Sequence, residues 1–457
     1  MKPVAIIGAG VTGLTAAFYL KRRGISVTVF EAANRAGGVI QSVRKDGFLA
    51  EFGPNTILET SPKIAQLIRD AGLASRRLDS NSKAEARFLV RYGRPIEMPG
   101  SPLGFLTTKL FSAKAKLAVL SEPFVPPRRD GAEESIAQFV VRRLNQEFLD
   151  HAIDALVAGI YAGDPHKLSL PHAFPRLKAL EEKYGSLIKG QIFGARDRKK
   201  SGEVAKDRAP KFSFDEGLQV LPDTLAAQLG DSLKLNTAVT NLTQTASGWR
   251  VTAATGEAEF SAVIYCGTAY QLAELGVEAA QQRRPTKMFS EICYPPVTSV
   301  VLGFQREDVA HPCLGYGMLI PKIEGYKILG TIFSSALFPN RVPAGHILLT
   351  SYIGGARYPD LALLPPEKLI ETALEDLRAL LGVKGSPVFT QTAVYPRAIP
   401  QYNLGYGKYR NLLNETERTS PNLFFAGHYR DGVSLGDSIV SGVNIAERVG
   451  KHFLATD

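Results

Sequence analysis

The first 31 residues place a short β-branched apolar run, VAII, before a helical stretch from Thr12 to Lys21 and a second apolar run, ISVTVFE. Short apolar runs bounded by turn residues predict buried strands, so the chain opens as strand–helix–strand. SPKIAQLIRDAGL has apolar residues at helical spacing, with Ser61 as N-cap and Pro62 at its first position. ARFLVRYGRPIEMP alternates like a hairpin that turns at Tyr92-Gly93. From Pro99 to about Phe193 the period becomes helical, and Ser135 is placed to cap SIAQFVVRRLNQEFLDHAIDALVAGIYA. Residues 194–211, GARDRKKSGEVAKDRAPK, carry almost no apolar content and predict a mobile charged loop at a lobe boundary. A helix and then strands follow to Gly267, and strands dominate from Pro296 to Gly354 (TSVVLGF, GYGMLIP, KILGTIFSS, HILLTSYIGG). PEKLIETALEDLRALLG is an amphipathic helix, and the last segment reads as strand, glycine-bearing loop and helix.

The turn after the first strand is Gly8-x-Gly10-x-x-Gly13. Gly8 permits the tight turn, Gly10 leaves bare backbone for a pyrophosphate, and Gly13 lets the helix pack closely on the strand. The helix start, with Val11 and Thr12, offers free N–H groups and a partial positive charge to phosphates. Glu31 ends the second strand eighteen residues past Gly13, a spacing that suits a carboxylate accepting hydrogen bonds from an adenosine ribose. A bound dinucleotide is therefore predicted. An NAD enzyme would usually continue into a helix here. This chain instead continues with Arg35, Gly37-Gly38 and Val39, then Gly53, Pro54, Asn55 and Thr56. These put a cation and glycines where a second phosphate or a flavin ring could approach backbone. Near the C-terminus, Gly427 ends a strand and Gly432-Val433-Ser434-Leu435-Gly436 precedes a helix. N–H groups there could stabilise negative charge on a reduced flavin. His428, beside this loop, is either a cofactor contact or a packed neutral histidine.

Composition narrows the picture. A chain of 457 residues suggests two or three lobes. Cys266, Cys293 and Cys313 have no paired or CxxC spacing, and the seven histidines form no ligand cluster. Neither a disulfide framework nor a metal site is expected. The net charge of +10, with no nucleic-acid motif beside it, points to an anionic membrane surface or an anionic substrate. Residues 3–20 are uncharged, but the fingerprint glycines inside them exclude a signal peptide or a spanning helix. A cytoplasmic protein is expected.

The acid followed by R-x-G-G resembles the flavoprotein superfamily of monoamine oxidases, phytoene desaturases and protoporphyrinogen oxidases, which bind FAD in an extended form. ARFLVRYGRPIEMPGSP, VAGIYAGDPHKLSL, GTIFSSALFPNR, SYIGGAR and AGHYRDGVSLGDSIVSG, in that order over essentially the whole chain, are similar to the protoporphyrinogen oxidases in particular. The resemblance implies an α/β fold: a Rossmann-like, p-hydroxybenzoate hydroxylase-like FAD domain, a mixed β-sheet substrate domain and a helical membrane-associated lobe. The FAD domain would comprise residues 1–85, 212–270 and 391–457, with Val239 against the adenine side. The substrate domain would comprise the hairpin 86–98 and residues 271–390, and residues 99–193 the helical lobe.

By the same resemblance, Arg87 pairs with a substrate propionate and Leu319 and Ile332 sandwich one pyrrole ring. Tyr352, where the family often has Phe, stacks on another ring, and Gly159 brings backbone close to the macrocycle. The implied reaction is FAD-dependent oxidation of protoporphyrinogen IX to protoporphyrin IX, with molecular oxygen as acceptor and hydrogen peroxide as by-product. Peripheral contact with the inner face of the cell membrane, a homodimer and a ferrochelatase contact are further implications. No acid–base pair occupies the matched positions. Coproporphyrinogen III oxidation, an amine oxidase or carotenoid desaturase activity, and a non-catalytic flavin-binding role remain as alternatives.

Overall fold

A computed structural model of the protein describes residues 2–194 and 209–454. The predicted charged loop lies outside them except at its ends, where Gly194 caps the helix Leu187–Phe193 and Lys211 opens the strand Lys211–Phe214.

Five parallel strands form the first sheet, in the order Leu233–Lys234, Val27–Phe30, Val4–Ile7, Ala262–Tyr265, Leu423–Phe425. Every residue of Val4–Ile7 is buried, as expected of a central parallel strand covered on both faces. The helix Val11–Arg22 packs along the terminal helix Leu435–Leu454. Thr12 Oγ1 donates to the Ser438 carbonyl (3.0 Å), and a Cβ on Gly442 would stand 2.6 Å from the Thr12 carbonyl. At the far end Arg23 donates to the Ala446 carbonyl (2.6 Å), so the two helices run parallel and their N-termini open at the same end of the sheet.

A second sheet starts at Val239–Thr245 and continues past residue 270, because Gly276–Ala279 pairs with it in parallel and Gln282–Arg283 extends it. The third sheet is mixed and seven-stranded. Its order is Phe389–Tyr395, Val297–Gln305, His346–Gly354, Ile328–Phe333, Gly317–Leu319, Arg87–Arg91, Arg94–Glu97. Only Gly317–Leu319 and Arg87–Arg91 run parallel. The predicted hairpin closes with Tyr92 and Gly93 both at positive φ (57° and 70°), the two-residue turn that matches strand twist. Helix Pro366–Leu381 covers one face, packing Leu369, Leu377 and Leu381 against Val90, Val300, Leu302 and Phe333. The other face meets the helices of residues 102–193, where Leu89 and Leu319 pack with Leu110, Phe111 and Ala155.

The helical lobe is built around a buried ion-pair hub. Arg143 bonds Glu122 and Glu181, and all three side chains are essentially inaccessible to solvent. Burial would raise the Glu122 carboxyl, but Ser186, the N–H groups of Leu187 and Ile188, and Arg143 together hold it below the usual range. Ser135 caps its helix as predicted, in a reciprocal box with Gln138. Among the described residues no helix is long and apolar enough to cross a membrane.

Candidate active site

The fingerprint residues form a cradle with an open mouth. A Cβ on Gly13 would stand 2.0 Å from the Gly8 carbonyl oxygen, a distance no side chain can adopt. A Cβ on Gly10 would meet nothing within 4 Å, so the helix start faces free space. Both Glu31 oxygens are held, Oε2 by the Ala9 N–H (2.8 Å) and Oε1 by the Ala33 N–H (2.9 Å). Each retains a lone pair for a ribose hydroxyl. The Thr237 N–H donates to the Glu31 carbonyl (2.8 Å), which brings Val239, the first residue of its strand, to this side.

Arg35 spends its guanidinium on main chain, bonding the carbonyls of Ala36 (3.2 Å), Gly38 (2.6 Å) and Ile40 (2.9 Å). It therefore braces the turn of Gly37 and Gly38, whose φ values are +103° and +59°. The Val39 side chain that this turn presents is 53% exposed, an apolar surface suited to cover by a planar ring.

Three tyrosines converge on the loop Phe52–Thr56, Tyr352 and Tyr395 from strands of the seven-stranded sheet and Tyr316 from just before its strand Gly317–Leu319. Tyr395 donates to the Phe52 carbonyl (2.7 Å) and Tyr352 to the Gly53 carbonyl (3.1 Å). The Asn55 amide donates to the Tyr352 oxygen (2.5 Å), and the hydroxyls of Tyr316 and Thr56 meet at 3.2 Å. Burial raises the Tyr352 and Tyr395 phenols, the latter to about 12, so both stay protonated as donors. Pro54 sits in the middle of this clamped loop. Beneath it the buried carboxylate of Glu51 accepts from Ser42 (2.6 Å), the Leu218 N–H (2.9 Å) and Arg341 (3.1 Å), joining three distant parts of the chain. Tyr316, Tyr395, Glu51 and Arg341 carry no local signal. Each is a single residue whose partners lie far away in sequence.

The C-terminal segment closes the other side. The Gly427 N–H is taken by Ser441 Oγ (3.0 Å) and Asp431 (3.3 Å), and Ser434 and Asp437 cap the helix start reciprocally. The first N–H groups of the helix from Leu435 remain without intrahelical partners. Val433 packs toward the tyrosine-rich core, and Leu435 toward the core beneath the first sheet.

His428 lies beside Tyr294 (ring centroids 6.0 Å) and its carbonyl accepts from Tyr402. Burial pushes its imidazole down to about 4, so it packs as a neutral ring. The unfolded chain takes up this proton near 6.5, so the group's contribution to stability is complete above that pH and is lost as the pH falls toward 4. Between pH 7.5 and 5 the loss is expected to be about 2 kcal/mol. His428→Gln should remove that part of the pH dependence of the urea midpoint. An unchanged dependence would show that another group is responsible.

The remaining predicted residues share one sheet face. Residues paired across strands project to the same side. One row runs Arg87, Gly317, Ile332, Thr350 and the next runs Leu89, Leu319, Gly330, Tyr352. The glycines leave gaps between Arg87 and Ile332 and between Leu319 and Tyr352. Gly159, on the helix Asp154–Tyr161, is so close that a Cβ there would lie 2.6 Å from Leu319 Cδ2. The Tyr352 hydroxyl is engaged with the loop at Gly53 and Asn55, so the slot and the loop share one side chain.

A Rossmann-like domain with an open fingerprint, joined by tyrosines to an apolar, cation-edged sheet face, has the build of a dinucleotide-binding protein. Residues 11–450 match the family described as flavin containing amine oxidoreductase, and the chain belongs to it. It is accordingly an FAD-dependent oxidoreductase. It is 36% identical to protoporphyrinogen oxidase 2, chloroplastic/mitochondrial, of Arabidopsis thaliana, over 98% of this chain and 94% of that one. It is 31% identical to coproporphyrinogen III oxidase of Staphylococcus aureus, over 98% and 99% of the two chains. In fold it matches a crystal structure from Exiguobacterium sp. 255-15, with TM-score 0.82, 22% identity and 99% of each chain covered.

Proposed function

We propose that the protein oxidises protoporphyrinogen IX to protoporphyrin IX in haem synthesis, with dioxygen as terminal acceptor and hydrogen peroxide as by-product. The observation that carries this reading is the shared face of Leu319, Ile332 and Tyr352, edged by Arg87 and tied through Tyr352 to the clamped loop. An apolar wall with a cation at its rim complements a large, mostly apolar ring bearing carboxylates. The names of the plant relatives point the same way.

When bound, FAD supplies the hydride acceptor. The chain's own residues position the substrate. Arg87 holds a propionate, Leu319 and Ile332 grip one pyrrole ring, Tyr352 stacks on another, and Gly159 keeps room for the macrocycle. Aromatisation drives the proton losses, so the reading needs no side-chain base. Arg87→Ala is expected to raise KM roughly 10- to 150-fold, the worth of one charge-assisted pair, with kcat less affected. Steady-state kinetics on protoporphyrinogen IX check this, and an unchanged KM removes the assigned role.

Coproporphyrinogen III is the second reading, favoured by the names of the two bacterial relatives. Its four propionates require more cations than Arg87. The helical lobe is proposed to rest on an anionic membrane surface. Leu103, Leu117, Leu120 and Phe124, the last 86% exposed, stand along a segment that also carries Lys109, Lys114 and Lys116. Co-sedimentation with anionic liposomes is expected at low salt, with release as salt rises. Protein left in the supernatant at low salt contradicts it.

A further inference from the structure

A cavity of about 620 Å³ opens where the edge strand Leu423–Phe425 meets the terminal helix, with none of Gly8, Gly10 or Gly13 in its lining. Four arginines line it: Arg176, Arg410, Arg430 and Arg448. Two of them share one carboxylate, since Glu417 bonds Arg430 at 2.6 Å and Arg448 at 2.8 Å. Among the described residues the other two have no carboxylate partner.

Arg410 donates through Nη2 to the Arg430 carbonyl (2.7 Å) and lies over the Tyr402 ring (5.6 Å). Its Nε is buried without any hydrogen-bond partner. Native proteins rarely leave a buried donor orphaned. Arg176 is exposed at the start of the helix Pro175–Tyr184 and makes no hydrogen bond or ion pair among the described residues. The two aspartates in the lining are engaged with main chain at the helix entrance, Asp431 with the Gly427 N–H and Asp437 with the Ser434 N–H.

We infer that this cavity is a second ligand site, for a small molecule whose phosphate or carboxylate oxygens pair with Arg176 and Arg410. A guanidinium offers a planar fork of donors matched to such oxyanions. Val440 and Ile445 give the cavity an apolar side, so the anionic group is carried on an organic body. The inference stands apart from the porphyrinogen reading and uses none of its residues.

Calorimetric titration of the FAD-loaded protein with inorganic phosphate, with succinate, and with sodium chloride at matched ionic strength tests it. Saturable binding of phosphate or succinate, absent with chloride, is expected, weakened about tenfold or more in both Arg176→Gln and Arg410→Gln. Preference for phosphate assigns a phosphate ester, and preference for succinate a carboxylate. No saturable binding of either overturns the inference, as does binding undiminished in Arg176→Gln. Arg176 is exposed and unbonded, so that variant stays informative even if Arg410→Gln fails to fold.

Discussion

Purified Gly13→Ala protein is expected to be nearly colourless. The added methyl would stand 2.0 Å from the Gly8 carbonyl oxygen, within main chain that has no rotamer to move. The helix must lift off the strand, and the N–H groups that face the open side of Gly10 move with it. Overpacking of this kind costs about 3 kcal/mol at the upper end of its usual range, which is about 150-fold in flavin affinity if it falls on the bound form. The ratio of absorbance near 450 nm to that at 280 nm measures it. A fully yellow variant would mean that the fingerprint does not hold the cofactor.

Gly159→Val is expected to do the opposite: to retain flavin and lose turnover. Its Cβ would stand 2.6 Å from Leu319 Cδ2, and Leu319 has the sheet behind it. The displaced leucine and the new methyls enter the space assigned to the macrocycle. Displacement by about 1 Å in a positioning site costs on the order of 100-fold in rate. Oxygen-dependent porphyrin fluorescence, normalised to bound flavin, reads the effect. Turnover at the parent rate would place the substrate elsewhere. Together the two glycines separate holding the cofactor from shaping the slot.

What could be read from the sequence was local. The fingerprint, Glu31, the caps at Ser61 and Ser135, and the turn at Tyr92-Gly93 each depend on residues within a few positions of one another. Their chemistry survives without knowledge of the rest of the chain. The clamp on Phe52–Thr56 does not. Tyr352 and Tyr395 lie 299 and 343 residues from the carbonyls they bond, and no local pattern announces either bond. The same holds for Glu51 with Arg341, and for the contact of Gly159 with Leu319, which only the packing of helix on sheet creates. Arg35 illustrates a different limit. Its position beside Gly37 and Gly38 was visible, but the three carbonyls that absorb its donors were not. Resemblance placed Arg87, Leu319, Ile332 and Tyr352 in one role, and the strand register then set them on one face.

Side-by-side kinetics of the FAD-loaded protein on protoporphyrinogen IX and coproporphyrinogen III, followed by porphyrin fluorescence in air, test the central claim most directly. The account predicts flavin- and oxygen-dependent formation of porphyrin, with the higher kcat/KM for protoporphyrinogen IX. Higher kcat/KM for coproporphyrinogen III would reassign the substrate, and no porphyrin from either would contradict the account.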